Sequence, residues 1–274
     1  MKILVTGNSG YIGSHLCKML IDEGVHEIHG LDKVGPQVNI HQFYYCDIRQ
    51  EKFIKTDSYD CVIHLAAEVA VGRSVKNPII YYTTNTIGTL NVLKNITTKR
   101  FIHGSTGSAG PMNNPYGISK RAAEDIVNQY CRENNIPFTT FRFYNVTGTG
   151  GYQPTNPDGL MWNLMNAHKT GSFNLFGDDY NTEDGSAVRD YTHVNEICNS
   201  LIQAINQSTN KIENLGHGVG TTVKQMIELY KTVNQCDFDV IICPRREGDL
   251  ERSVLDNPSN FMKKLYSIKD LLKV

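Results

Sequence analysis

A short apolar run, Ile3–Val5, leads directly into Thr6-Gly7-Asn8-Ser9-Gly10-Tyr11-Ile12-Gly13, after which Ile12, Leu16, Met19 and Leu20 recur at helical spacing. No other stretch restricts the fold as strongly. Glycines at 7, 10 and 13 permit a tight turn, a close backbone approach to a pyrophosphate and close packing of helix on strand. The helix start at Tyr11, Ile12 and Gly13 offers free N–H groups and the positive end of its dipole to that pyrophosphate. Asp32 follows Gly13 by 19 residues, where a second strand should end. Its carboxylate can accept from an adenosine ribose and would repel a 2′-phosphate, so NAD is favoured over NADP, although Lys33 stands beside it.

The rest of the chain repeats this alternation. Strand-like runs at 27–31, 42–46, 61–65, 101–103 and 138–143 are separated by helical patterns, the longest at 80–95 and 116–133. Such alternation predicts an α/β fold: a Rossmann-type doubly wound parallel sheet with right-handed crossovers. Asp47-Ile48 after the third strand can border the adenine, and Leu65-Ala66-Ala67 after the fourth lets a cofactor lie close. Beyond residue 145 the pattern becomes a Gly/Pro/Asn-rich loop, helices at 160–168, 193–205 and 222–233, and a strand at 211–215. Residues 1–150 therefore read as an NAD-binding domain, and 151–274 as a smaller α/β substrate-binding lobe interleaved with it. With 27 Lys+Arg against 28 Asp+Glu there is no basic surplus for nucleic acid. No apolar run is long enough to span a membrane, and MKILVTG lacks the apolar core of a signal peptide. The seven cysteines are scattered, without CxxC spacing, and predict a reducing cytosolic setting and no metal framework.

Of 14 tyrosines only Tyr116 has a lysine four residues on, Lys120. The pair opens the helix after the fifth strand and shares one helix face. There the ammonium should stabilise a tyrosinate, making the phenol a general base for a substrate hydroxyl. Gly104-Ser105-Thr106-Gly107 ends the fifth strand at the carboxyl edge of the sheet, and a hydroxyl there can bridge substrate and tyrosine. Thr106 is the first choice and Ser105 the reserve.

The segments TGNSGYIGSH, YDCVIHLAA, VGRSVKNPIIYYTTNTIGTLNVL, NPYGISK, RFYNVTG, LFGDDYNTEDGSAVRDYTHV, NLGHGVGTTV and RREGDL occur in this order along the chain. In them the chain resembles the extended short-chain dehydrogenase/reductase family, and within it the UDP-glucose 4-epimerase-like nucleotide-sugar epimerases. The resemblance implies bound NAD and a UDP-sugar substrate. Tyr116 takes the 4-hydroxyl proton while hydride leaves C4, a transient 4-keto sugar turns, and hydride returns to its other face. The resemblance also places Asn85 beside cofactor or substrate and Asn145 on the diphosphate. It makes Arg189 and Arg246 diphosphate clamps, Asp249 a partner of the uridine ribose, and Ser253 a small residue that admits N-acetylated hexoses. It further implies a homodimer through helices 80–95 and 116–133.

This sequence departs from the family pattern in several places. Tyr116 follows Thr106 by only ten residues, where the family has a longer loop. Val69 replaces a lysine, and Asp158-Gly159 replaces an asparagine pair. Gly107 and Ser108 stand where 4,6-dehydratases carry Asp-Glu and where decarboxylases carry Glu, which sets those activities aside. The alternatives to a UDP-hexose 4-epimerase are a 4-epimerase of another nucleotide sugar such as a UDP-uronic acid, an NAD(P)-dependent 4-keto reductase, and a non-catalytic dinucleotide-binding protein.

Overall fold

The structure is a computed structural model that describes residues 1–24, 26–53, 58–149 and 151–274. The elements follow in chain order as β1 (Lys2–Thr6), α1 (Tyr11–Asp22), β2 (Glu27–Asp32), β3 (Gln42–Tyr45), β4 (Cys61–His64), α2 (Val71–Lys76) and α3 (Pro78–Tyr81). A π-helical segment, Tyr82–Ile87, then runs into α4 (Gly88–Asn95), β5 (Phe101–Thr106), α5 (Pro115–Glu133), β6 (Phe138–Phe143) and β7 (Asn145–Thr147). After these come α6 (Leu160–Thr170), β8 (Ser172–Phe176), β9 (Val188–His193), α7 (Val194–Ile205), β10 (Asn210–Leu215), β11 (Gly220–Thr222), α8 (Val223–Asn234), β12 (Asp239–Cys243) and β13 (Arg252–Ser253).

Seven strands form one parallel sheet in the order β10-β6-β5-β4-β1-β2-β3. Both of its faces are covered, so β1, β4 and β5 are almost continuously buried and read as apolar runs without alternation. One face packs Leu16, Cys17 and Leu20 of α1 with Ile197, Cys198 and Leu201 of α7. The other packs Val92 and Leu93 of α4 with Val127 and Cys131 of α5. The seventh strand, β10, comes from beyond residue 150 and pairs in register with β6 from Asn210↔Phe138 to Leu215↔Phe143. The nucleotide-binding sheet thus draws α7 and β10 from the segment that also builds the smaller lobe. Strand order reverses between β1 and its neighbours β2 and β4, which opens a crevice at the carboxyl ends of β1 and β4.

The smaller lobe has its own core, formed by Leu164, Phe173, Leu175, Tyr191, Met226, Ile227 and Tyr230. There β9 is flanked by β11 and β13 and also pairs with β7, while β8 pairs with β12. Thr222 caps α8 in a reciprocal capping box with Gln225. The two parts are tied at the phosphate loop. The Tyr11 hydroxyl donates to the Gly148 carbonyl, and His15 Nε2 lies 2.8 Å from the Thr149 carbonyl. Among the described residues no helix is long and apolar enough to cross a membrane.

Candidate active site

The glycines of the first loop are needed where the backbone crowds itself. Gly7 has φ +74°, and a Cβ on it would sit 2.6 Å from the Ala66 nitrogen. A Cβ on Gly13 would sit 2.1 Å from the Gly7 carbonyl oxygen. Only glycine allows β1, the loop and α1 to close to this distance. The N-cap of α1 is Gly10, and no side chain accepts from the first turn. The N–H groups at Tyr11, Ile12 and Gly13 therefore remain for an anion, with the helix dipole behind them. The side chain of Tyr11 is spoken for by Gly148, so its contribution to a cofactor is through the backbone.

Asp32 ends β2 beside this loop and accepts from Ser9 N–H at 3.1 Å and Val34 N–H at 3.2 Å. Burial pushes its carboxyl up, against the pull of those backbone donors. Lys33, its neighbour in sequence, turns to Glu68 at 3.2 Å. Asp47 is gripped by Arg49, whose hydrogen bonds hold its carboxyl below the usual range, and Ile48 is buried with its carbonyl accepting from Asn91 Nδ2 at 3.0 Å. Leu65, Ala66 and Ala67 are half-buried at the end of β4, with Ala66 N–H on Thr6 Oγ1 at 3.4 Å. Uncapped N–H groups, glycine cradle and ribose-side carboxylate together fit a dinucleotide.

At the end of β5 the structure separates the two hydroxyl candidates. Ser105 Oγ donates to Glu124 Oε1 at 2.6 Å and is fully engaged behind the sheet. The Thr106 hydroxyl lies beside the Tyr116 phenol and acts to lower its pKa, while Thr106 Oγ1 accepts from Ser108 N–H at 3.3 Å. The short link between them opens with a 3-10 turn, Gly107–Ala109, and a Cβ on Gly117 would meet the Ser108 carbonyl oxygen at 2.3 Å. That packing keeps threonine and tyrosine together despite the missing loop. Asn114 caps α5 by accepting from Gly117 N–H at 2.9 Å, and Pro115 opens it.

Tyr116 and Lys120 differ in the groups that act on them. Burial pushes the Tyr116 phenol up, and the group acting in the opposite direction is Thr106. Lys120 is one turn further along α5 and inside the fold, with its Nζ on His103 Nε2 at 3.2 Å. Burial lowers its own pKa to about 8, while Glu124 acts to raise it. The ammonium thus bonds an acceptor on β5, while Thr106 is the group that acts on the phenol against burial. Asn85 is hydrogen-bonded within the fold. It is fully buried in the π-helical segment, takes Glu68 N–H at 2.8 Å, and donates to the Glu68 carbonyl and Ser119 Oγ, both at 3.0 Å. With both ends of its amide engaged, it braces the β4 loop against α5 and presents no free edge to a ligand.

On the lobe side, β9 and β13 place Arg189 directly opposite Ser253. Arg189 Nη2 is 4.0 Å from Asp249 Oδ1, and its Nη1 donates to the Val188 carbonyl at 3.0 Å. Arg246 stacks 3.9 Å over the Phe176 ring and donates to the Asp158 carbonyl at 3.3 Å, with no carboxylate partner among the described residues. A charged fork held flat and left without a counter-ion suits an anionic ligand. Asn145 is half-buried on β7, opposite Tyr191 of β9. The loop carrying Arg246 and Asp249 reaches the catalytic helix, since a Cβ on Gly248 would lie 3.6 Å from Asn114 Cβ.

Reasoning from the sequence missed a buried polar cluster behind Tyr116. Arg142 on β6 grips Glu124 with Nε–Oε1 at 2.8 Å and Nη2–Oε2 at 2.6 Å, and Glu124 is wholly buried. Its one signal was spacing, because Glu124 stands four residues beyond Lys120.

The comparisons with known proteins agree with this geometry. The model of the NAD dependent epimerase/dehydratase family matches residues 3–216. The chain is 34% identical to the UDP-glucose 4-epimerase of Halalkalibacterium halodurans, over 91% of this chain and 85% of that protein. It is 32% identical to the UDP-glucose 4-epimerase of Lactobacillus helveticus, over 94% and 89%. Among solved structures, the UDP-glucose 4-epimerase of Bifidobacterium longum in complex with NAD+ and UDP superposes with a TM-score of 0.88 at 26% identity, covering 99% of this chain and 96% of that one. The Thermotoga maritima UDP-glucose 4-epimerase with UDP-glucose gives 0.86 at 29% identity, covering 100% and 96%. By sequence, fold and site, the chain belongs to the NAD dependent epimerase/dehydratase family, on its UDP-glucose 4-epimerase-like side.

Proposed function

We propose that this protein interconverts the C4 epimers of a UDP-hexose with bound NAD, and that Tyr116 is the group that moves the hydroxyl proton. The observation that carries this reading is the Tyr116 phenol beside the Thr106 hydroxyl at the carboxyl end of β5, the sheet edge that also carries a glycine cradle fitting a pyrophosphate. When bound, NAD supplies the acceptor and donor of the hydride at sugar C4, together with a positive ring charge. Thr106 donates to the Tyr116 oxygen and so favours its ionised form, against the burial that disfavours it. The phenolate takes the 4-hydroxyl proton and later returns it, so no net redox change accumulates. Arg246, Arg189 and Asn145 hold the diphosphate, and Asp249 the uridine ribose. Ser253 opposite Arg189 leaves room for an acetamido group, which extends the substrates to UDP-N-acetylhexosamines.

Incubating the purified protein with UDP-galactose, with and without added NAD, and following the sugar by proton NMR tests the reading. Conversion to UDP-glucose without added cofactor is expected. Turnover only with a continuous supply of reduced cofactor would assign a 4-keto reductase instead.

The protein forms a homodimer through the outer faces of α4 and α5 in this reading. Within these helices Val92, Leu93 and Val127 are core residues. The apolar side chains left facing outward are Ile87, Leu90 and Ile118, at 49%, 38% and 40% exposure, and they support the proposal.

A further inference from the structure

Lys120 is buried against β5, and the groups that face it are few. From β5 comes His103 Nε2 at 3.2 Å, and from β4 comes His64, whose ring stacks on His103 at 5.7 Å and 16°. From α5 come Tyr116 one turn before it and Glu124 one turn after it. Glu124 is already neutralised by Arg142 of β6 and bonded by Ser105. His64 is also fully committed. Thr89 Oγ1 donates to the Asn85 carbonyl at 2.6 Å and so must accept from His64 Nε2, 2.9 Å away; His64 Nδ1 then accepts from Thr6 Oγ1 at 2.7 Å. Hence the nearest acceptor for the ammonium is an uncharged imidazole.

The other nitrogen of His103 gives the clue. If Nε2 accepts from Lys120, the ring proton sits on Nδ1, which is buried and has no partner among the described residues. A buried, unpartnered donor weakens a fold relative to an apolar side chain of similar size. Packing therefore does not explain a histidine at this position, whereas the bond to Lys120 does.

Building on the function proposed above, we propose that His103 is a positioning residue for the reaction: its Nε2 accepts from Lys120 and anchors the ammonium between β5 and α5 without cancelling its charge. A carboxylate there would fix the lysine equally well but would neutralise it. Burial holds both imidazoles well below their ordinary range, so they stay neutral while Lys120 titrates near 8. Activity that depends on the ammonium is present below that value and falls as pH rises through it.

Two readouts test this on the NAD-loaded enzyme. In His103→Leu the ammonium loses its acceptor, and the alkaline limb of kcat should move to lower pH by about one unit, with KM little changed. His103→Gln, which keeps an acceptor at similar reach, should return the limb toward its original position. Nitrogen NMR of the histidine rings in the unmutated enzyme does not depend on turnover or on the leucine variant folding. It should show His103 as the neutral Nδ1–H tautomer, its Nε2 signal moving as Lys120 loses its proton, and that movement should vanish in Lys120→Met. An unmoved limb in His103→Leu, glutamine behaving like leucine, or an Nε2–H tautomer at neutral pH would overturn the proposal. An enzyme without epimerase activity would refute the proposed function, and the nitrogen spectra would still decide the role of His103.

Discussion

Replacing Thr106 by valine removes one hydroxyl and little else, because the side chain is buried and valine has nearly its shape. One hydrogen bond depends on that oxygen, and so does its influence on the Tyr116 phenol. The bond accepted from Ser108 N–H is long, at 3.3 Å, and its loss should cost about 1 kcal/mol of stability at most. The influence on Tyr116 matters more, since in the proposed reaction the hydroxyl donates to the phenolate and favours it. A hydrogen bond to a charged group contributes about 1.5–3 kcal/mol. At about 1.4 kcal/mol per unit, its removal raises the phenol pKa by roughly 1–2 units. A base must be ionised to act, so the acid limb of kcat should move up in pH by that amount, and turnover at neutral pH should fall about 10- to 100-fold. Raising the pH restores little of it, because the Lys120 ammonium is lost near 8. The assay is the pH dependence of UDP-galactose epimerisation, with bound NAD and thermal melting as controls. An acid limb that stays in place, with turnover within about twofold of the unmutated enzyme, would show that Thr106 does not serve Tyr116.

Gly13→Ala places a methyl 2.1 Å from the Gly7 carbonyl oxygen, so the phosphate loop must shift; purified protein should lose its bound NAD, and full retention would remove the cradle from the account. Ser253→Tyr fills the space opposite Arg189 and should lower turnover of UDP-N-acetylgalactosamine about tenfold or more relative to UDP-galactose; an unchanged ratio would detach this position from specificity. Ile118→Glu places a charge on the outer face of α5 and should convert a dimer to monomers in sedimentation velocity, while a monomeric unmutated protein would refute the interface itself.

Local periodicity made the layered sheet readable, because β1, β4 and β5 are buried on both sides and leave apolar runs in the chain. The phosphate loop was equally legible, since its glycines answer contacts within a few residues or with the adjacent strand. Tyr116 and Thr106 were singled out by their places at the sheet's carboxyl edge, where the structure also puts them. What escaped lies through space. Lys120 was paired with Tyr116 by helical spacing, but its partner sits on β5. Asn85 turned inward because a π-helical turn rotates it toward Glu68 and Ser119, a change of period that no residue pattern announces. The return of β10 to the first sheet likewise depends on pairing with a strand some seventy residues earlier.

In the proposed reaction the phenol of Tyr116 is the group that moves the proton at C4. Tyr116→Phe removes one oxygen from a side chain that also packs edge-to-face on Tyr81 at 6.1 Å, so the helix and the cofactor cradle should persist. With NAD still bound and melting unchanged, proton NMR of UDP-galactose should show turnover reduced by about 100-fold or more. Epimerisation by that variant within about tenfold of the unmutated enzyme would contradict it.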